Sequence, residues 1–273
     1  MRRWNEASRL WLFPLVLVAL TWIFPILWTA ITSLKPEGGL VGLRPTFFFE
    51  PTLASYVELF TERSFGRYLL NSLAVAGGAT VVSIILASFA AYALARSDLW
   101  GRGQVGMWIL SLRMLPPIST VIPFYLILSR SSLLDTYVGL LLVYLTFSLP
   151  FAIWMLQGFF SEIPKSIDEV ASADGASPFT ILVRFILPMA KGGIAVTTIF
   201  TFVFAWNEFL YAFLLTKERW VTLPVRLSST ITPFQTAWGY LTAGAMVSFL
   251  PLIIVVFLLQ REMVRGVSLG AMR

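Results

Sequence analysis

Long apolar runs separated by short charged connections dominate this chain. Crossing a hydrocarbon layer takes about 20 mainly apolar residues. Runs of that kind occupy Leu10–Ile31, Tyr68–Ala95, Val105–Leu128, Tyr137–Phe160, Gly192–Leu215 and Tyr240–Leu259. They predict an all-α integral membrane protein, a six-helix transmembrane bundle whose even number of spans puts both termini on one side. Lysine and arginine are modestly in excess on that side, with Arg2, Arg3 and Arg9 flanking the first run. The positive-inside rule then puts both ends in the cytoplasm, in a cell (plasma or inner) membrane. The first run exceeds a secretory h-region and no small-residue cleavage pattern follows, so it reads as a retained span.

Two outer connections are long. Residues 33–67, punctuated by Pro36, Pro45 and Pro51, predict an irregular cap with a short helix near Leu53–Phe60. Residues 216–239 carry Trp220, Pro224, Thr230, Pro233 and Trp238. The second run is rich in small residues, among them Ala74, Gly77, Gly78, Ala87 and Ala91. Lipid gives helices no hydrophobic reason to associate, so close backbone approach must hold them, and this run predicts a central helix.

Residues 161–190 break the pattern, being too polar for a span and too regular for a linker. Ile163, Ile167, Val170 and Ala171 recur at helical spacing, with Lys165, Asp168, Glu169 and Ser172 on the other faces. Pro164 suits a first helical turn and Gly175 a left-handed stop. Ser177 and Pro178 then read as the cap and first residue of a second helix, with Phe179, Leu182, Val183 and Ile186 as its stripe and Pro188 at its end. Helices of about ten residues rise only about 15 Å, too little to cross a bilayer, and are marginal in water unless packed. Glu162, Asp168, Glu169 and Asp174 make the pair acidic, whereas helices that lie on membranes are usually basic. Docking into a basic cleft of a partner is the better reading.

Composition narrows the functions. The chain is 58% hydrophobic and 12% charged, too few charges for a soluble surface. Its net charge of +6 is scattered between apolar runs, which fits membrane topology better than nucleic acid. There is no cysteine and no histidine. Their absence removes disulfides, Ser-His-Asp and Cys-His catalysis, histidine or cysteine metal sites and histidine proton relays. No Gly-x-x-x-x-Gly-Lys-Ser/Thr string occurs, so any ATP hydrolysis belongs to another polypeptide.

A few polar groups fall inside the runs. Trp206, Asn207 and Glu208 lie in the fifth, and a charge there is expensive unless it faces protein or water. Two readings follow: a wet pathway with Trp206 as an aromatic wall, or a buried structural latch. Arg113 precedes Pro116-Pro117, which kink the third run, and it either satisfies freed carbonyls or reaches the interface. On straight helices the depths of Arg113 and Glu208 differ by about 12 Å, so no pair between them is expected. Asp135 reads as a helix cap.

The string from Glu169 to Ala176, with Leu187-Pro188 after it, resembles the EAA loop of permease subunits in binding-protein-dependent ABC importers. Glutamate, second alanine, glycine and Leu-Pro fall at the family spacing, while Val170 and Phe185 replace an alanine and an isoleucine. The stretches Ala90–Arg96, Ala205–Leu210 and Gln260–Gly266 with Gly270-Ala271 are similar to the carbohydrate branch, particularly the smaller permease of maltose-type systems. The resemblance implies a type I ABC importer permease, itself non-catalytic. Its partners would be a second homologous permease subunit, two cytoplasmic ATPase subunits carrying the ATP and Mg, and an external solute-binding protein. It implies ATPase coupling through Glu169, Ala171, Asp174, Gly175, Ala176, Leu187 and Pro188. It also implies contact of the binding protein with the outer segment of Trp220, Pro224, Thr230 and Trp238. The smaller maltose-type permease contributes little to the sugar site, which favours the latch for Glu208. The expected cargo is a di- or oligosaccharide or related polyol. Alternatives are a phosphorylated polyol or other small solute, or a secondary transporter. The latter would need ion sites near the midplane, for which Glu208 is thin support.

Overall fold

The protein is represented by a computed structural model whose described residues are 6–36, 48–61, 64–96, 101–231 and 236–270, with side chains from Pro14 to Glu262. Arg2, Arg3, Pro45 and Pro233, and the side chains of Arg9 and of the tail from Met263 on, lie outside them. Among the described residues the regular structure is helical, apart from one isolated bridge between Ile231 and Thr236. The chain divides into two compact units, residues 1–66 with 227–250 and residues 67–226 with 251–273.

The first unit contains α1 (Glu6–Ser33), α2 (Ala54–Thr61) and the beginning of α13 (Trp238–Gly270). Side chains of α1 stay exposed from Pro14 to Leu27 although nearly all are apolar. In water that surface would aggregate; in lipid it is the ordinary exterior of a span. The end of α1 is fastened instead. The Ser33 and Tyr56 hydroxyls are 2.8 Å apart, and the Thr52 N–H donates to the Leu34 carbonyl at 2.9 Å. The buried Lys35 ammonium lies over the Trp28 and Phe49 rings, 5.1 and 5.5 Å from their centroids. Its charge is thus met by two ring faces, an arrangement that compensates a desolvated cation. α2 is amphipathic and buries Leu59, while Phe65 meets both Phe60 and Tyr240 edge-on.

The second unit is built on α3 (Phe65–Arg96), α4 (Arg102–Ser111), α5 (Pro117–Arg130), α6 (Tyr137–Ser161) and α10 (Lys191–Trp206). Between α6 and α10 come α7 (Ser166–Ala173), α8 (Pro178–Ile181), a wide turn over Leu182–Ile186 and α9 (Leu187–Met189). α11 (Leu210–Leu215) and α12 (Leu223–Ser228) follow α10. The buried face of α3 is made of small residues, Ala76, Ala79, Ser83, Ala87 and Ala91, each no more than 1% exposed. That is the close packing the run of small residues predicts. α6 and α10 approach closely at Gly193, where an added Cβ would lie 2.7 Å from the Cβ of Phe159 and run into its ring.

Among the described residues, four stretches are long and apolar enough to cross a membrane unaided: Pro14–Ser33, Phe65–Arg96, Tyr137–Ser161 and Trp238–Glu262. The other two candidate spans are bent pairs. Arg102–Met114 and Pro117–Arg130 meet at 86°. The cause is local: a residue before proline is pushed out of the helical region. Leu115 and Pro116, each followed by proline, have ψ of 126° and 127°. Pro116-Pro117 therefore produces a break, sharper than the kink the sequence suggests. Pro178–Met189 and Lys191–Trp206 meet at 82°. At 16 residues α10 rises only about 24 Å. The short α11, set off by Asn207–Phe209, continues it.

Candidate functional site

The segment between α6 and α10 folds as a helical hairpin. Pro164 precedes α7, and Gly175, at φ +82°, ends it in the left-handed conformation glycine adopts without strain. The Ala176 N–H donates to the Ala171 carbonyl at 2.9 Å and the Gly175 N–H to Ser172 at 3.0 Å, so the last carbonyls of α7 are satisfied by the turn. Ser177 then caps α8, accepting the Thr180 N–H at 3.2 Å. Ile163, Ala171, Ile181, Leu182 and Ile186 are buried against Ala87, Ala91, Leu94 and Ala95 of α3 and Leu156 and Phe160 of α6.

The two apolar stripes read from the sequence divide between two surfaces. Ile163 and Ala171, and Leu182 and Ile186, face the core, while Val170 (64%), Phe179 (62%) and Val183 (42%) are exposed. Glu169, Asp174 and Gly175 are exposed beside them, with Pro188 and Met189; Ala176 and Leu187 are half-buried. The hairpin thus leaves both apolar side chains and carboxylates exposed, Val170 next to Glu169 on α7 and Phe179 on α8, where it stacks on Phe89.

Asp168 behaves differently from its neighbour Glu169. Its Oδ1 accepts the Tyr92 hydroxyl at 2.8 Å, and its Oδ2 lies 3.0 Å from Arg96 Nε. Arg96 also donates through Nη1 to the Ile163 carbonyl at 2.9 Å. Neither Tyr92 nor Arg96 stands out as a site residue in the sequence. The available signal was their i, i+4 spacing at the polar end of a span, which puts both on one helix face.

A second constellation fixes residues 216–223. Asp135, at φ +54°, accepts three consecutive N–H groups: Glu218 and Arg219 on Oδ2 at 3.0 and 2.9 Å, and Trp220 on Oδ1 at 2.9 Å. Thr136, not Asp135, caps α6 by accepting the Gly139 N–H at 3.1 Å, so the capping role belongs one residue later than the sequence suggests. Partial burial pushes the Asp135 carboxyl up, but the N–H groups of Arg219, Trp220, Glu218 and Lys217 outweigh it and hold it below its ordinary value. From α3, Asn71 Nδ2 donates to the carbonyls of Arg219 (2.9 Å) and Val221 (3.0 Å), while Ser72 Oγ accepts the Leu223 N–H at 2.7 Å. Trp220 packs on Tyr137, and Pro224 is half-buried within α12. In the other unit, Thr230 is buried and donates to the Leu227 carbonyl at 2.7 Å, and Trp238 is 48% exposed.

The third feature is a cavity of about 580 Å³ lined by the turn after α4, by α5 and α6 and by the α10–α11 region, including Arg113, Thr120, Phe124, Phe147, Glu208 and Tyr211. Arg113 and Glu208 therefore share one cavity. No ion pair joins them among the described residues, as the depth estimate on straight helices expects, and each has other partners. The Arg113 guanidinium lies 4.6 Å from the Phe151 centroid and 4.2 Å from that of Phe204. Glu208 accepts the N–H groups of Tyr211 (2.9 Å) and Ala212 (3.1 Å), capping α11 with both oxygens. Asn207 donates to the Val203 carbonyl at 2.8 Å, and the buried Trp206 stacks on Phe202.

Among the described residues, helices with up to six candidate spans and an exposed helical hairpin define a multi-pass membrane component. Residues 79–269 match the model of the binding-protein-dependent transport system inner membrane component, and the chain belongs to that family. It is 33% identical to the probable ABC transporter permease protein y4oR of Sinorhizobium fredii, over 99% of this chain and 93% of that one. It is 35% identical to the trehalose transport system permease protein SugB of Mycobacterium tuberculosis, over 89% and 87%. With the trehalose/maltose transport system permease protein MalG of Thermococcus litoralis it shares 33% identity, over 84% and 86%. Its fold matches a chain of a bacterial ABC transporter involved in the import of the acidic polysaccharide alginate. The TM-score is 0.77, with 23% identity, over 96% of this chain and 99% of that one.

Proposed function

We propose that this chain is the permease subunit of an ATP-driven sugar importer, translocating a di- or oligosaccharide or related polyol delivered by an external binding protein. Relatives that cover most of the chain are named for trehalose, trehalose/maltose and diacetylchitobiose uptake, which supports a carbohydrate cargo. A related alginate transporter was solved in complex with its pentasaccharide-bound periplasmic protein, which supports an external binding protein as partner. A second permease subunit and two ATPase subunits, carrying the ATP and Mg, complete the assembly. The termini and the 161–190 hairpin face the cytoplasm.

One observation carries the reading: the hairpin is seated on α3 and α6 through a buried core, yet leaves Glu169 and Val170 of α7 exposed, with Phe179 of α8 also largely exposed where it stacks on Phe89. An apolar patch with a carboxylate suits a cleft with apolar walls and a basic group. Glu169 is the charge that meets that basic group. Ala171, Ala176, Leu187 and Pro188 shape the hairpin, while Asp174 and Gly175 form its tip. Because the hairpin is anchored to the spans, movement of the docked ATPase becomes movement of the pathway. The cavity of Arg113 and Glu208 serves packing in this scheme, with Glu208 holding α11 in place. Trp220, Pro224, Thr230 and Trp238 belong to the outer segment that meets the binding protein.

The test is uptake and ATPase activity of the purified assembly in lipid, across a sugar panel, with its binding protein. Glu169→Lys and Gly175→Pro should insert normally but hydrolyse ATP without importing sugar. Normal uptake by both variants refutes the coupling role. Uptake that survives ATP depletion and collapses with an ionophore identifies a secondary transporter instead.

A further inference from the structure

α3 stands apart from the other spans in its continuity. It runs unbroken for 32 residues, about 48 Å, with no proline inside. α1, α5, α6 and α13 each contain proline, and the third and fifth spans are interrupted. An uninterrupted helix transmits displacement along its axis, whereas a helix with a proline or a break has a place to bend, and the Gly77-Gly78 pair of α3 stays within regular helix.

Both ends of α3 grip segments remote in sequence. At the end near Arg96, Phe89, Tyr92 and Arg96 fall on one face, spaced by three and four residues. Phe89 stacks on Phe179 of α8 with centroids 6.2 Å apart, Tyr92 and Arg96 hold Asp168 of α7, and Arg96 also holds the Ile163 carbonyl. The hairpin is continuous in chain only with α6 and α10, so its attachment to α3 is carried by these side chains and the packing beside them. At the opposite end, Asn71 and Ser72 make three hydrogen bonds to the backbone of Arg219, Val221 and Leu223, in the segment Asp135 fixes. That segment has little regular structure, and its shape is set by what grips it.

We infer that α3 is a push-rod joining the two working surfaces of the permease, with Asp168 as the positioning residue at the hairpin and Asn71 at the outer segment 216–223. This rests on the permease reading above. When the hairpin moves, the salt bridge and the Tyr92 hydrogen bond carry α3 with it, and Asn71 and Ser72 shift the outer segment on the far side. Asp168 is thereby distinguished from the adjacent Glu169, which faces outward.

The absence of cysteine makes a single reporter unique within this chain, and its labelling is read on this chain after separation from its partners. Lys217→Cys, at an exposed position on the outer segment, is labelled with a thiol probe in the complete transporter in nanodiscs, with and without ATP. In the otherwise natural chain, ATP should change the labelling rate. Asp168→Asn, the milder Tyr92→Phe and Asn71→Ala should each diminish that change, by about tenfold where a charge-assisted hydrogen bond is lost and about fivefold where Asn71 loses neutral ones. Asp168→Asn combined with Asn71→Ala should be no worse than either alone, because both interrupt one linkage. A purely structural role would lower the amount of assembled transporter without altering the ATP response of what remains. An unchanged ATP response in the assembled Asp168→Asn and Asn71→Ala variants overturns the push-rod and leaves the permease reading standing. A Lys217→Cys chain with no ATP response, in a preparation that still imports sugar with ATP, also overturns the push-rod; the permease reading falls only if ATP-driven import itself is lacking.

Discussion

The Asp135 carboxylate accepts the backbone N–H of Arg219, 84 positions later in the chain, at 2.9 Å. With the N–H groups of Glu218 and Trp220 on the same carboxylate, this one side chain organises a turn that has no helix or strand to support it.

Asp135→Ala should therefore loosen residues 217–220 selectively. Charge-assisted hydrogen bonds contribute about 1.5–3 kcal/mol each when well protected, and less here because the site is largely solvated. Faster amide exchange at Glu218, Arg219 and Trp220, with the core of α3 and α6 unaffected, is the expected result. Asn at this position keeps one acceptor oxygen and tolerates the positive φ, so its effect should be smaller.

The same group sets an acid limit. Its folded-state carboxyl titrates below its ordinary value, so the unfolded segment binds the proton more readily than the folded one. The stabilisation is complete above the ordinary aspartate range, about pH 3.9, and is lost as pH falls through the lowered value. Exchange protection of residues 218–220 should accordingly persist at pH 4 and fall only in stronger acid. Asp135→Asn should abolish that acid transition.

Glu208→Ala removes both acceptors from the first turn of α11, where capping side chains contribute about 1 kcal/mol. The variant should melt earlier in detergent by a corresponding amount. Gln, with one carbonyl oxygen, should fall between the two. An unchanged melting temperature for Glu208→Ala would show that α11 does not depend on this cap.

Gly193→Ala forces α10 away from α6, because the added methyl meets the stiff Cβ–ring junction of Phe159 and not a flexible tip. Overpacking of this kind typically costs about 1–3 kcal/mol. Pairing it with Phe159→Leu should recover part of the loss, measured by thermal unfolding of the purified chain.

Arg113→Lys tests the contact with two rings. Phe151 and Phe204 meet edge to face, and the broad guanidinium lies within 4.6 and 4.2 Å of their centroids, a reach a compact ammonium lacks, so the substitution should destabilise by about 1 kcal/mol despite keeping the charge.

Apolar run lengths, the small-residue face of α3, the hairpin between Pro164 and Pro188 and its glycine turn were all legible in the sequence. Each depends on chemistry local to a few residues: burial periodicity, a cap, a left-handed stop. Three things depended on tertiary structure. Asp168 and Glu169 are adjacent and alike, yet one is gripped by α3 and the other faces out, and only the position of Tyr92 and Arg96 separates them. Arg113 and Glu208 line one cavity without forming a pair, because Arg113 lies over two rings and Glu208 is taken by the first turn of α11. Asp135 holds a loop some 80 residues away, a partnership its neighbours in the chain give no sign of. Sequence determines which segments are helical and apolar because those preferences act within a turn or two of the chain. Which side chains meet is decided by how the helices pack, since that depends on every span at once.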